Sequence, residues 1–167
     1  AGRDRIVIEE LVQRIQEEAD QIKCAKVLAE KRWKKALSDL DYLGSVTLDL
    51  LNFYSGIERI FEIIAKDLDG KMPKNGEWHK KLLNQMALEI ESIRPALLSP
   101  ETKTSLDEFR KFRHLARTIY SFQLNPEKIK TLITSLPKAH KAFQRDLNNF
   151  ISKFLLQPDK KLMGKKE

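Results

Sequence analysis

The residues best able to do chemistry lie in one run, Glu108-Phe-Arg-Lys-Phe-Arg-His-Leu-Ala-Arg-Thr-Ile-Tyr-Ser-Phe122. On an ideal helix Leu106, Phe109, Phe112, Ala116 and Ile119 form an apolar stripe. Arg110, Arg113, Arg117 and Tyr120 form a second stripe beside it, within about 80° of arc. Three guanidinium groups on one flank repel one another, and the nearby acids are Asp107 and Glu108. Two readings fit this pattern. One is a solvated basic edge whose long stems cover apolar surface. The other is an anion site, with arginine forks gripping phosphate and Tyr120 at its end.

Other chemistries find less support. His79, His114 and His140 fall on three different expected helices, with no pair at i,i+4 and no cysteine nearby, so neither a metal nor a cofactor is implied. There is no glycine-rich phosphate loop and no Gly-x-Ser-x-Gly turn. Trp78 at helical spacing reads as core, and His79 as a surface or capping residue. Tyr54 and Glu58 stand four apart, and Glu58 as an ion-pair partner for one of the arginines would explain the basic stripe without any ligand.

The elements that must hold these residues are helical throughout. Ile8, Leu11, Val12, Ile15, Ala19, Ile22, Ala25, Ala29, Trp33, Ala36, Leu37 and Leu40 recur at spacings of three and four. The first break expected is Gly44-Ser45, which gives a first helix from about Arg5 to Tyr42, long enough for part of it to pack on a second subunit. A second helix runs through Leu48, Leu51, Tyr54, Ile57, Phe61, Ile64 and Leu68 and stops at Asp69-Gly70, followed by a loop over Gly70–Gly76. A shorter helix is expected from Glu77 to about Ile90. Ser99-Pro100-Glu101 and Asn125-Pro126-Glu127 are helix starts, each with a capping side chain, a proline in the first turn and an acid at the positive end. Pro137 is expected to kink or restart the last helix, which ends near Pro158. The fold class is all-α, an up-and-down bundle of about five helices forming a single domain over 1–158, with a basic, disordered tail over 159–167.

Composition sets outer bounds. The chain has 167 residues, of which 41% are hydrophobic and 33% charged, enough for one domain with a real core. No window approaches a membrane span, and the charged start Ala1-Gly2-Arg3-Asp4-Arg5 does not resemble a signal peptide. The lone Cys24 suits a reducing, cytoplasmic setting and is expected to be a packed small residue. A net charge of +7 permits a polyanionic partner such as RNA without requiring one.

The motif run carries a resemblance. Arg113-x4-Thr118-x-Tyr120 is similar to the Arg-x4-His-x-Tyr motif of HepT-like proteins, a helical branch of the HEPN superfamily. Tyr54-Ser-Gly-Ile-Glu-Arg-Ile-Phe61, Trp78-His-Lys-Lys-Leu-Leu83 with Met86, Arg94-Pro95, and Leu124-Asn125-Pro126-Glu127 extend it over about 50–155. The resemblance implies a helical homodimer with two motifs across its interface, and metal-free RNA cleavage in which the motif His moves a proton and the Arg steadies phosphate charge. It also implies a minimal nucleotidyltransferase partner that attaches AMP to the motif tyrosine, here Tyr120, in a toxin–antitoxin pair. Here Thr118 stands at the family histidine's position, and a hydroxyl cannot serve as a base near neutral pH. His114 is the nearest substitute, although adjacent helix positions diverge by about 100°. The expected site is therefore Arg113, His114, Arg117, Thr118 and Tyr120. Three functions follow: a partner of a nucleotidyltransferase with weak or altered nuclease activity, an active metal-independent endoribonuclease, or a non-enzymatic adaptor bundle.

Overall fold

The computed structural model describes residues 5–120 and 123–157. The expected tail over 159–167, the first four residues, and Ser121 and Phe122 of the motif run lie outside them. Helix α1 spans Arg5–Ala36, α2 Leu43–Ile64, α3 Trp78–Met86, α4 Pro100–Ala116 and α5 Pro126–Phe150, and no β-strand occurs among the described residues. One core runs through the bundle, from Leu11 and Ile15 on α1 to Phe143 and Phe150 on α5.

Helix α1 buries Leu11, Val12, Ile15, Ile22, Ala25, Ala29 and Ala36, one face at helical spacing. Its alanines let α2 approach closely. At Gly56 a Cβ would stand 2.6 Å from Ile22 Cγ1, so only a hydrogen fits at that point of the α1–α2 contact. The first helix ends earlier than expected. It stops at Ala36, and Gly44-Ser45 lies inside α2. The break belongs to Asp39, whose carboxylate accepts the Asp41 N–H at 3.0 Å and caps a single 3-10 turn, Leu40–Tyr42. Gly44 sits in open space on the first turn of α2, where missing side-chain contacts cost little.

The end of α2 unwinds into a π turn, Ala65–Asp69, and closes on Gly70 at φ 64, a left-handed position that glycine takes without strain. The loop then carries the chain backwards. The first turn of α3 lies beside Glu58, through His79, and its last turn beside Asp69, through Gln85. Helix α3 thus runs the same way along α2, having regained about 16 Å of helix length. It is also shorter than expected, because Ile90 leaves the helical path to pair with Arg94.

Arg94 explains that departure. Its side chain is 0% exposed and that of Asp69 is 1% exposed. Nε donates to Asp69 Oδ1 at 2.6 Å and Nη2 to Oδ2 at 2.9 Å. The remaining donors reach the carbonyls of Gln85, Leu88 and Pro95. The two carbonyls at and beyond the end of α3 are thereby capped by a side chain instead of by continued helix.

Helix α4 starts at Ser99, whose hydroxyl accepts the Thr102 N–H, and α5 at Asn125, whose carbonyl accepts the Glu127 N–H. Helix α5 passes through Pro137 without restarting. Burial of Leu136, Ala139 and Phe143 on either side holds the helix together against a proline cost of about 3 kcal/mol. Cys24 is exposed, a correction to its expected packing. The core-facing positions of that turn belong to Ile22 and Ala25.

Breaking the Arg94–Asp69 pair should be severe. Arg94→Ala leaves a buried carboxylate without its counter-charge and should destabilise the fold by about 3–5 kcal/mol. Arg94→Lys should recover only part of this, since an ammonium cannot reproduce the fork. The shift of the urea unfolding midpoint measures both.

Candidate functional site

The motif residues occupy the end of α4 and the turn after it. Helix α4 stops at Ala116, Arg117 is its C-cap, and Thr118 to Tyr120 lie beyond the helix. The continuous second stripe expected through Arg117 and Tyr120 therefore breaks at the cap. Thr118 helps to end the helix, its hydroxyl donating to the Leu115 carbonyl at 2.8 Å and its N–H to the same oxygen at 3.0 Å. Beyond it the Tyr120 N–H donates to Gln123 Oε1 at 2.9 Å, and the Gln123 N–H returns to the Tyr120 carbonyl. The Tyr120 side chain is 72% exposed.

Each basic residue of the run has its own surroundings. Arg110 donates through Nε to Asp107 Oδ1 at 2.6 Å, one turn earlier on the helix. Burial pushes the Asp107 carboxyl up, but the hydrogen bond and charge of Arg110, with Lys111 behind them, outweigh it and hold the group below its ordinary value. Arg113 is half-buried and turns into the bundle, where Nε donates to Ser55 Oγ on α2 at 3.0 Å. It has no carboxylate at ion-pair distance among the described residues. His114 and Arg117 are exposed on the outer side. Of the five expected site residues, then, only Arg113 reaches the bundle interior; His114, Arg117, Thr118 and Tyr120 face outward around the helix end.

Beneath Arg113 lies a polar layer that the motif does not announce. Tyr54, Ser55 and Glu58 share one face of α2 within about 100° of arc. Glu58 is buried, and its expected arginine partner is not what the structure holds: Glu58 Oε2 meets His79 Nδ1 at 2.7 Å. The cause is the parallel course of α3, which sets its first turn against Glu58. His79 is accordingly half-buried and hydrogen-bonded to Glu58, not a surface or capping residue. Its ring stacks on Trp78 with centroids 3.6 Å apart, and Trp78 packs at the edge of the core.

Tyr54 is fully buried, and its hydroxyl has no hydrogen-bond partner among the described residues. Burial above all, then the Glu58 charge, raises its pKa far above that of an ordinary phenol. Arg110 and Arg113 pull against this, and Asp107 adds to it. The phenol stays a neutral donor at any physiological pH. These electrostatic couplings bring Tyr54, Glu58, Asp107, Arg110 and Arg113 into one neighbourhood. Tyr54, Glu58 and His79 were visible in the sequence, but only the path of α3 joins them to Arg113.

Among the described residues no three His, Cys, Asp or Glu side chains could hold a metal ion, and no helix is long and apolar enough to cross a membrane. Arg113→Ala should lower the melting temperature slightly, by the equivalent of about 1 kcal/mol, since it removes one partly solvated hydrogen bond. It should also abolish whatever phosphate-linked activity the chain has. Unfolding well below wild type would instead mark Arg113 as a structural strut.

No match is found among curated proteins or among solved structures. A family model described as HepT-like protein matches residues 45–154, about two thirds of the chain, and spans Tyr54, Glu58, His79, Arg94, Arg113 and Tyr120. With its helical bundle and its Arg113-x4-Thr118-x-Tyr120 run, the chain belongs to the HepT-like protein family.

Proposed function

We propose that this chain is the toxin-side component of a toxin–antitoxin module, acting as a homodimer with a minimal nucleotidyltransferase and retaining weak cleavage of RNA. The observation that carries the reading is Tyr120, the motif tyrosine, which stands 72% exposed beyond the end of α4. A modifying enzyme needs a side chain it can enclose without unwinding a helix, and this position supplies one. In the transfer, the phenolic oxygen attacks the α-phosphorus of ATP, the bond to pyrophosphate breaks, and the phenol proton passes to solvent. Arg117 on the adjoining cap places a cation near the added phosphate.

The dimer reading rests on apolar surface that a lone bundle leaves in water. Leu37, Leu40 and Leu48 are each more than half exposed around the α1–α2 turn, and Ile6, Val7 and Val27 are exposed along α1. Co-expression with a minimal nucleotidyltransferase should give a complex that survives purification and holds two copies of the chain by light scattering. Intact-mass analysis should show one added AMP per chain, lost in Tyr120→Phe. A monomeric chain that neither binds nor is modified overturns the reading.

Thr118 accounts for the weakness of cleavage, because its hydroxyl is engaged with a backbone carbonyl and cannot titrate near neutrality. Thr118→His should raise RNA cleavage by about 10²-fold, the lower end of what general acid–base catalysis contributes. The gain should follow pH around the imidazole value of about 6.5 and persist in EDTA. A rate unchanged by the substitution, measured on a labelled oligoribonucleotide, counts against this account.

A further inference from the structure

The chain has three histidines, and their surroundings differ sharply. His114 is exposed on the outer side of α4. His140 is buried on another side of the bundle, facing Phe53 of α2, and the pKa of its ring is lowered by burial and then by Lys26 and Lys23 of α1. Among the described residues, His79 alone has a carboxylate at ion-pair distance. Glu58 accepts at Nδ1, which places that nitrogen's proton in the 2.7 Å hydrogen bond and leaves Nε2 as the basic nitrogen of the neutral ring. The side chain is 28% exposed, so the ring is held from within while part of it meets solvent.

Arg113 is anchored to the same helix. Ser55 and Glu58 are three residues apart on α2, neighbours on one helix face. Ser55 holds Arg113 and Glu58 holds His79, so guanidinium and imidazole are moored to consecutive turns of the same helix. Tyr54 adds from that turn a neutral hydroxyl with no partner among the described residues, and Arg110 adds a second cation balanced by Asp107. A buried carboxylate, the imidazole it orients, and a cation with no carboxylate of its own are what proton transfer beside a phosphodiester needs.

We propose that His79, oriented by Glu58, is the proton-transferring residue for RNA in this chain and occupies the role that Thr118 cannot fill. The assignment rests on the weak RNA cleavage proposed above. Nε2 takes the proton of a ribose 2′-hydroxyl, and the 2′-oxygen attacks the adjacent phosphorus. The bond from phosphorus to the 5′-oxygen breaks, giving a 2′,3′-cyclic phosphate. The departing 5′-oxygen takes a proton from solvent, and the imidazolium returns one to solvent. Arg113 offsets the charge that builds on the phosphoryl oxygens. Glu58 is a positioning residue, since it acts through the ring.

The test is the cleavage of a labelled oligoribonucleotide in EDTA by the full chain, comparing wild type with His79→Ala, His79→Gly and Glu58→Gln. His79→Ala should lose at least about 10²-fold in rate. Free imidazole should restore a measurable part of the rate of His79→Gly, which a merely structural histidine would not allow. Glu58→Gln should lose about tenfold and displace the pH–rate profile, with the charged groups coupled to Tyr54 beside it, Asp107, Arg110 and Arg113, left unchanged. Melting curves separate these losses from unfolding: a rate that falls only with the melting temperature, with no rescue by imidazole, overturns the assignment. So does a wild-type rate in His79→Ala, or loss in His114→Ala alone. Wild-type protein that leaves RNA intact overturns the assignment too, while co-purification and AMP transfer to Tyr120 would leave the partner role standing. Cleavage dependent on His79 without any nucleotidyltransferase complex would do the reverse.

Discussion

The Arg94–Asp69 pair is the constraint on which the arrangement of the bundle's polar residues depends. Removing both charges from water is costly, and attraction repays that cost only when every donor and lone pair is used. Here the guanidinium meets the carboxylate with both prongs and spends its other donors on the carbonyls of Gln85, Leu88 and Pro95. Gln85 donates to the same carboxylate at 2.8 Å. The far end of α2, the last turn of α3 and the connection to α4 are thereby fixed to one another. With the far end of α3 held, its first turn has little freedom, and His79 is delivered to Glu58.

The basic residues divide the work of a chain with net charge +7. Arg94 is structural and neutralised inside the core. Arg110 is neutralised by Asp107, Arg32 by the buried Asp49 at 2.8 Å, and Arg59 and Arg14 by acids across the α1–α2 contact. Arg113 departs from this pattern, for its partner is a neutral hydroxyl. A cation held in place by Ser55 and not by an opposing charge keeps its field for an incoming anion.

How much of this was legible in the sequence depended on whether the signal was local. The starts of α4 and α5 were, because Ser99 and Asn125 cap their own helices, and so was the stop at Gly70, whose left-handed backbone is a property of one residue. Gly44-Ser45 misled because glycine near a helix start is tolerated when nothing packs on it, while Asp39, a capping residue in plain sight, marked the true break. Pro137 misled in the opposite sense, its penalty overridden by burial of its neighbours. The partner of Glu58 was hidden for a different reason: periodicity fixes which face of α2 the carboxylate occupies, not which later helix returns to cover it. The expected stripe of Arg110, Arg113, Arg117 and Tyr120 on one helix likewise could not foresee that Thr118 helps to end the helix that carries Arg113.

The contact at Gly56 bears on where this protein begins as a physical object. The family likeness covers residues 45–154 and so excludes α1, yet Ile22 of α1 closes over Gly56 so tightly that no methyl group fits between them. Ile15, Ile22 and Ala29 are sealed into the same core as Phe61 and Phe143. Kinship and cooperativity therefore draw different borders. The family match spans the four-helix remainder, but the packed core includes the N-terminal helix, and any excised fragment that respects the first border would expose the inner wall of α2 to water.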